Sequence, residues 1–173
     1  MRIKLHKQSN DRHTLTVVWP DGRSERMACE TRSYLLHDLL HYAVEAEARI
    51  DHGFWGSLAS GRSLASMNDR AQQAAAAIAG TDPVASDDPE LMIVEKVVGA
   101  MHGATKGVPA GDLFDGMQRY ASASDRAWPA WVTEPFVERV VERMRHLRGH
   151  WAATPFGQTM ELDWPAQDAS LSG

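Results

Sequence analysis

The sequence predicts an α+β fold: an N-terminal three-stranded antiparallel meander followed by a mostly helical body. Two observations carry this. Over residues 1–30 apolar side chains alternate with polar ones, the period-two pattern of half-buried strands. From Ser33 onward apolar residues recur with a period of about 3.6, the spacing of an amphipathic helix.

The strands come first. Ile3 and Leu5 alternate with Arg2, Lys4 and His6, and Gln8-Ser9-Asn10-Asp11 has turn chemistry. Leu15, Val17 and Trp19 follow on a second alternation, closed by Pro20-Asp21-Gly22, in which Pro presets φ and Gly tolerates positive φ. Ser24 to Glu30 is the third strand, with a weaker pattern. A helix is then expected from Ser33 to about Asp51, capped by Thr31 or Ser33 and ended by Gly53. Its apolar side holds Leu35, Leu36, Leu39, Leu40, Ala43, Val44, Ala46 and Ile50.

Phe54-Trp55-Gly56 reads as a short aromatic connector. An Ala-rich, weakly packed helix is expected from about Arg62 to Ala79, and Gly80 to Asp88 as a loop. Pro89 and Glu90 sign a helix start, with Leu91, Val94, Val97, Val98 and Met101 as its stripe and Gly103 or Gly107 as its end. A shorter helix carries Leu113, Phe114, Met117 and Tyr120 on one side, and Trp128-Pro129-Ala130-Trp131 is a rigid connection. The last helix starts at Thr133, carries Phe136, Val137, Val140, Val141, Met144 and Leu147, and is expected to close at Gly149. Met160, Leu162 and Trp164 alternate as a strand that returns to the N-terminal sheet. In domain terms, residues 1–166 read as a single domain: a meander over 1–30, a helical body over 31–151 and the returning strand within 156–165. Residues 167–173 read as a frayed tail.

Composition narrows the function classes. The chain has 173 residues, 18 basic and 23 acidic, for a net charge of −5. A net acidic surface argues against a general nucleic-acid binder, because phosphate neutralisation needs cations. One cysteine, Cys29, excludes an intramolecular disulfide and a multi-cysteine zinc site. Together with a start that has no apolar leader, it points to a reducing, cytoplasmic setting. No run of apolar residues approaches a membrane span.

One constellation has chemical content. His37-Asp38-Leu39-Leu40-His41 lies inside the best-defined helix, where residues i and i+4 share a face and two His can converge on one ion. These five residues resemble the His-Glu-x-x-His helix of zincin metallohydrolases. The resemblance implies zinc, or another divalent transition metal, on His37 and His41, with Asp38 as the catalytic base beside them. Asp38 stands where that family has Glu and is one methylene shorter. Val44 stands where the extended zincin pattern has a helix-breaking Gly.

Glu45 continues the row and completes the candidate metal residues. The rise from His37 to Glu45 is about 12 Å, long for one ion to meet all three, and the alternative is that Glu45 orients His41 from outside the coordination sphere. By residue type a third ligand comes from His102, His146, His150 or His6. The wider stretch from His37 to Gly56, HDLLHYAVE followed by FWG, is similar to small bacterial proteins and implies no activity.

Competing readings are blander. A polar row opposite an apolar stripe is also what a surface helix shows. Cys29 near a strand end reads as a small buried hydrophobe before it reads as a nucleophile. Arg139, Arg143, Arg145 and Arg148 give the last helix a basic end, which the glutamates on the same helix dilute. Six Trp and a sheet edge would support a homodimer. The sequence therefore carries two function hypotheses. One is a helical His-x-x-x-His metal site with water-activating hydrolase chemistry on an unknown small molecule. The other is a non-enzymatic interaction or regulatory protein with no metal site.

Overall fold

The computed structural model describes residues 1–67, 89–124 and 127–164. Strands β1 (Arg2–Lys7), β2 (Arg12–Val18) and β3 (Ser24–Glu30) form the meander, and β4 (Thr159–Asp163) returns to pair with β1. The antiparallel sheet has the order β3-β2-β1-β4. Its register places Ile3 opposite Val17 on one side and Leu162 on the other. Ile3, Leu5, Leu15, Val17 and Met160 all point into the core. The inward row of β2 begins one step before the apolar alternation, at His13, which is fully buried.

The helical body begins with a π turn over Thr31–Leu35, followed by α1 (Leu36–Ala48), α2 (Phe54–Ala59), α3 (Pro89–Ala100), a 3₁₀ turn over His102–Lys106, α4 (Ala110–Ser124) and α5 (Glu134–Ala153). Residues 64–67 are also helical, with Leu64 and Met67 buried. The expected Ala-rich helix beyond residue 67, the loop from Gly80 to Asp88 and the tail lie outside the described residues.

Several details differ from the sequence expectation. The first α-helix has no side-chain N-cap, because the π turn feeds straight into it, and it stops at Arg49 in the left-handed conformation rather than at Gly53. The Phe54-Trp55-Gly56 connector is the first turn of α2. Tyr120 is 55% exposed, outside the buried side of α4. Finally, α5 runs through Gly149 to Ala153; a single Gly inside a long helix weakens it without ending it.

The most consequential difference concerns α1. It is not a surface helix. Leu39, Leu40, His41, Tyr42, Ala43, Val44 and Glu45 are all buried, and α1 packs against α2, α3, α5 and the 3₁₀ turn. Polar ties fix this arrangement. Tyr42 donates its hydroxyl to the Asp163 carbonyl (2.7 Å), joining α1 to β4. Arg139 and Arg143 donate to Glu47 at 3.0 and 2.7 Å, joining α5 to α1. The basic face of α5 is thus partly taken up by pairing with Glu47. Lys7 donates to the Trp151 and Thr154 carbonyls (2.9 and 2.8 Å), which closes the end of α5. No helix among the described residues is long and apolar enough to cross a membrane.

Candidate metal centre

The burial of α1 turns its polar row inward. A buried polar side chain needs partners, since an unmet donor or acceptor costs about 1–3 kcal/mol. The partners of Glu45 are unusually complete. The α2 N-terminus has no cap from Gly53, so its first N–H groups would be unmet. Glu45 reaches across and accepts from Phe54 N–H at 2.8 Å, Trp55 N–H at 2.9 Å and Gly56 N–H at 3.1 Å. A Cβ on Gly53 would overlap this carboxylate, so glycine is what admits the close approach.

The same carboxylate lies 3.2 Å from His41 Nδ1. Glu45 offers only acceptor oxygens there, so Nδ1 carries the hydrogen and donates. In the neutral imidazole this leaves a lone pair on Nε2. Nε2 faces Oε1 of Glu95, on α3, at 3.3 Å. The pair attracts by charge but is not aligned as a hydrogen bond. Among the described residues the buried side-chain polar atoms left without a hydrogen-bond partner are His13 Nε2, His41 Nε2 and Glu95 Oε1.

His37 completes the group. Its ring meets the His41 ring edge-to-face, with centroids 4.7 Å apart. One ligand atom from each of His37, His41 and Glu95 lies within 4.8 Å of the others. His37 is half-buried; His41 and Glu95 are buried. The sequence reading found His37 and His41 and missed Glu95. Its signal is visible in retrospect: Leu91, Val94, Glu95 and Val98 make one helical seam, and Glu95 is the single carboxylate in it.

The remaining sequence candidates fall elsewhere. Glu45 sits on the Nδ1 side of His41, away from the convergence, in the orienting position. Asp38 is half-buried and not part of the converging trio. His102 is exposed on the 3₁₀ turn, near enough for its charge to be felt at His37. His146 pairs with Glu142 at 2.7 Å on the exposed face of α5, and His6 lies 3.1 Å from the Thr159 hydroxyl.

The electrostatics of the metal-free protein follow from burial and these neighbours. Burial lowers the His37 pKa to about 4, with His41 and His102 adding and Glu95 opposing. Burial also disfavours charge on His41, but Glu45 and then Glu95 outweigh it and carry its pKa up to about 10. Burial raises the Asp38 carboxyl to about 7, against His41 and with Glu95. Cys29 is buried, and burial, then the charge of Asp38, pushes its thiol up to about 11, opposite to the shift a nucleophilic cysteine needs.

Comparison with family models, with curated proteins and with solved structures gives no match.

Proposed function

We propose that this protein binds one divalent transition metal ion, zinc by its donor set, through His37, His41 and Glu95. Two His and one carboxylate are a donor set that zinc accepts in water-activating sites. The observation that carries the reading is the pair of orphaned buried atoms, His41 Nε2 and Glu95 Oε1, facing each other at 3.3 Å. A tetrahedral ion with bonds of about 2.0–2.1 Å separates its ligand atoms by about 3.3 Å, so this pair is already spaced for one. The half-buried His37 ring has to turn inward to close the third edge. Glu45 then acts by fixing the His41 tautomer and ring orientation, as an outer carboxylate does for a metal-bound imidazole.

Three protein ligands leave a coordination position for water, and hydrolysis of a small molecule is the chemistry such water supports. Asp38 is a further carboxylate, one that feels the charges of His41 and Glu95, and it is proposed to handle the proton.

A second reading has its own support. Both ring nitrogens of His41 face carboxylates, so a protonated His41 can serve as a buried ionic staple between Glu45 and Glu95, with no metal and no reaction. Elemental analysis of untagged protein separates the two. The metal reading expects close to one transition-metal ion per chain, lost in His37→Ala/His41→Ala. No metal, and no uptake on adding zinc, would leave the staple.

A further inference from the structure

We propose that the cleft beside Glu95 is the substrate pocket of this centre and that it takes an uncharged small organic molecule with an aromatic or acyl body. The inference rests on the metal reading for the chemistry at the Glu95 end; binding in the cleft is a separate property and is tested separately.

The cleft lies between α3, α4 and the Trp128-Pro129 connection, with Glu95 in its lining, and encloses about 870 Å³. Small-molecule pockets run from about 300 to 1,000 Å³, and concave sites of this size suit a compact ligand better than a protein face. Its apolar wall is Ile93, Leu113, Met117, Tyr120 and Trp128. Tyr120 and Ile93 are two of the few large apolar side chains left exposed among the described residues, at 55% and 41%. The Tyr120 and Trp128 rings lie 5.8 Å apart and tilted by 34°. The indole N–H of Trp128 donates to the Met117 carbonyl at 2.8 Å, which fixes the ring and consumes its one polar atom. What the wall offers is therefore flat and apolar.

Two glycines widen the cleft. Gly99 in α3 and Gly116 in α4 both line it. Each sits inside a helix, where glycine costs about 1 kcal/mol relative to alanine. Neither is needed for close packing: a Cβ on Gly99 would meet no atom within 4 Å, and one on Gly116 only the end of Arg119 at 3.9 Å. At Gly53, Gly56 and Gly103, by contrast, glycine admits a close approach. Here the space it leaves is empty and belongs to the cleft. The charged side chains in the lining other than Glu95 are Lys96 and Asp112, of opposite sign, so they select neither an anion nor a cation. This favours an uncharged ligand, its polar group directed to the Glu95 end.

The test is a fluorescence titration of metal-free protein with N-phenyl-1-naphthylamine, a neutral aromatic probe. The expected result is saturable one-site binding with a blue shift. In Gly99→Leu/Gly116→Leu, which fills the cleft, affinity should fall about tenfold or more while the melting temperature and zinc uptake persist. The single substitutions serve if the pair lowers the melting temperature. No saturable binding, or binding undiminished by the filled cleft, would overturn the proposal and leave the metal centre standing. Probe binding without zinc uptake in any variant would overturn the link to a metal centre. A dimer in light scattering that the same pair splits would assign the cleft to a second copy of the chain instead.

Discussion

Nε2 of His41 and Oε1 of Glu95 lie 3.3 Å apart inside the protein, and neither has a hydrogen-bond partner. On the other side of the same ring, Nδ1 is held by Glu45 at 3.2 Å. The imidazole is therefore fixed at one nitrogen and presented at the other. Loosening the fixed side should disturb both stability and metal binding.

Replacement of Glu45 by alanine leaves the N–H groups of Phe54, Trp55 and Gly56 without their acceptor. At about 1 kcal/mol or more for each, the loss is on the order of 3 kcal/mol, or roughly 6–12 °C in melting temperature. Thermal denaturation of Glu45→Ala checks this. A shift of less than a degree would mean that water or another group meets those donors.

Two glycine-to-alanine changes should move stability in opposite directions. Gly53→Ala drives a Cβ into the Glu45 carboxylate and should cost about 1–3 kcal/mol. Gly99→Ala adds a Cβ in open space inside a helix and should gain about 0.8–1.0 kcal/mol, near 2–4 °C. Melting curves of the two variants side by side read the sign directly.

His13 should make the metal-free protein less stable in mild acid. Burial lowers its pKa from 6.5 to about 4. Its Nδ1 lies 3.1 Å from the Thr31 hydroxyl, its ring packs edge-on to Trp151, and Lys7 is its partner across the strands. No carboxylate among these neighbours offers to stabilise a charge. Between pH 6.5 and 4 the unfolded chain takes up a proton that the folded chain refuses, so stability falls as pH drops, by roughly 3 kcal/mol in all. Urea unfolding from pH 7 to 4.5 should show this slope in wild type. His13→Leu should flatten it by about 1.4 kcal/mol per pH unit; equal slopes would refute the assignment.

Cys29 should be inert in the native state. With its thiol near 11, the thiolate is about one part in a thousand at pH 8. Iodoacetamide should label the unfolded protein quickly and the native one hardly at all, as mass spectrometry would show. Rapid native labelling would reopen the nucleophile reading.

The strands were legible because a sheet with one covered face imposes strict alternation, from Ile3 and Leu5 through Leu15 and Val17 to Met160. His37 and His41 were legible because i and i+4 share a helix face whatever surrounds it. Glu95 was not, because the approach of α3 to α1 is set by packing between residues 54 positions apart. The burial of α1 was hidden for the same reason: a polar row looks solvated until the fold brings Glu95 and the α2 N-terminus to it. The Phe54-Trp55-Gly56 turn was misread because its cap comes from Glu45 rather than from the residue before it.

The central claim is that one ion sits between His41 and Glu95. Diffraction from zinc-soaked crystals at the zinc absorption edge tests it most directly. The account predicts a single strong anomalous peak about 2.0–2.2 Å from His41 Nε2 and a Glu95 carboxylate oxygen, with His37 turned in to meet it. Zinc-saturated crystals with no peak there, and His41 still held between Glu45 and Glu95, would contradict it.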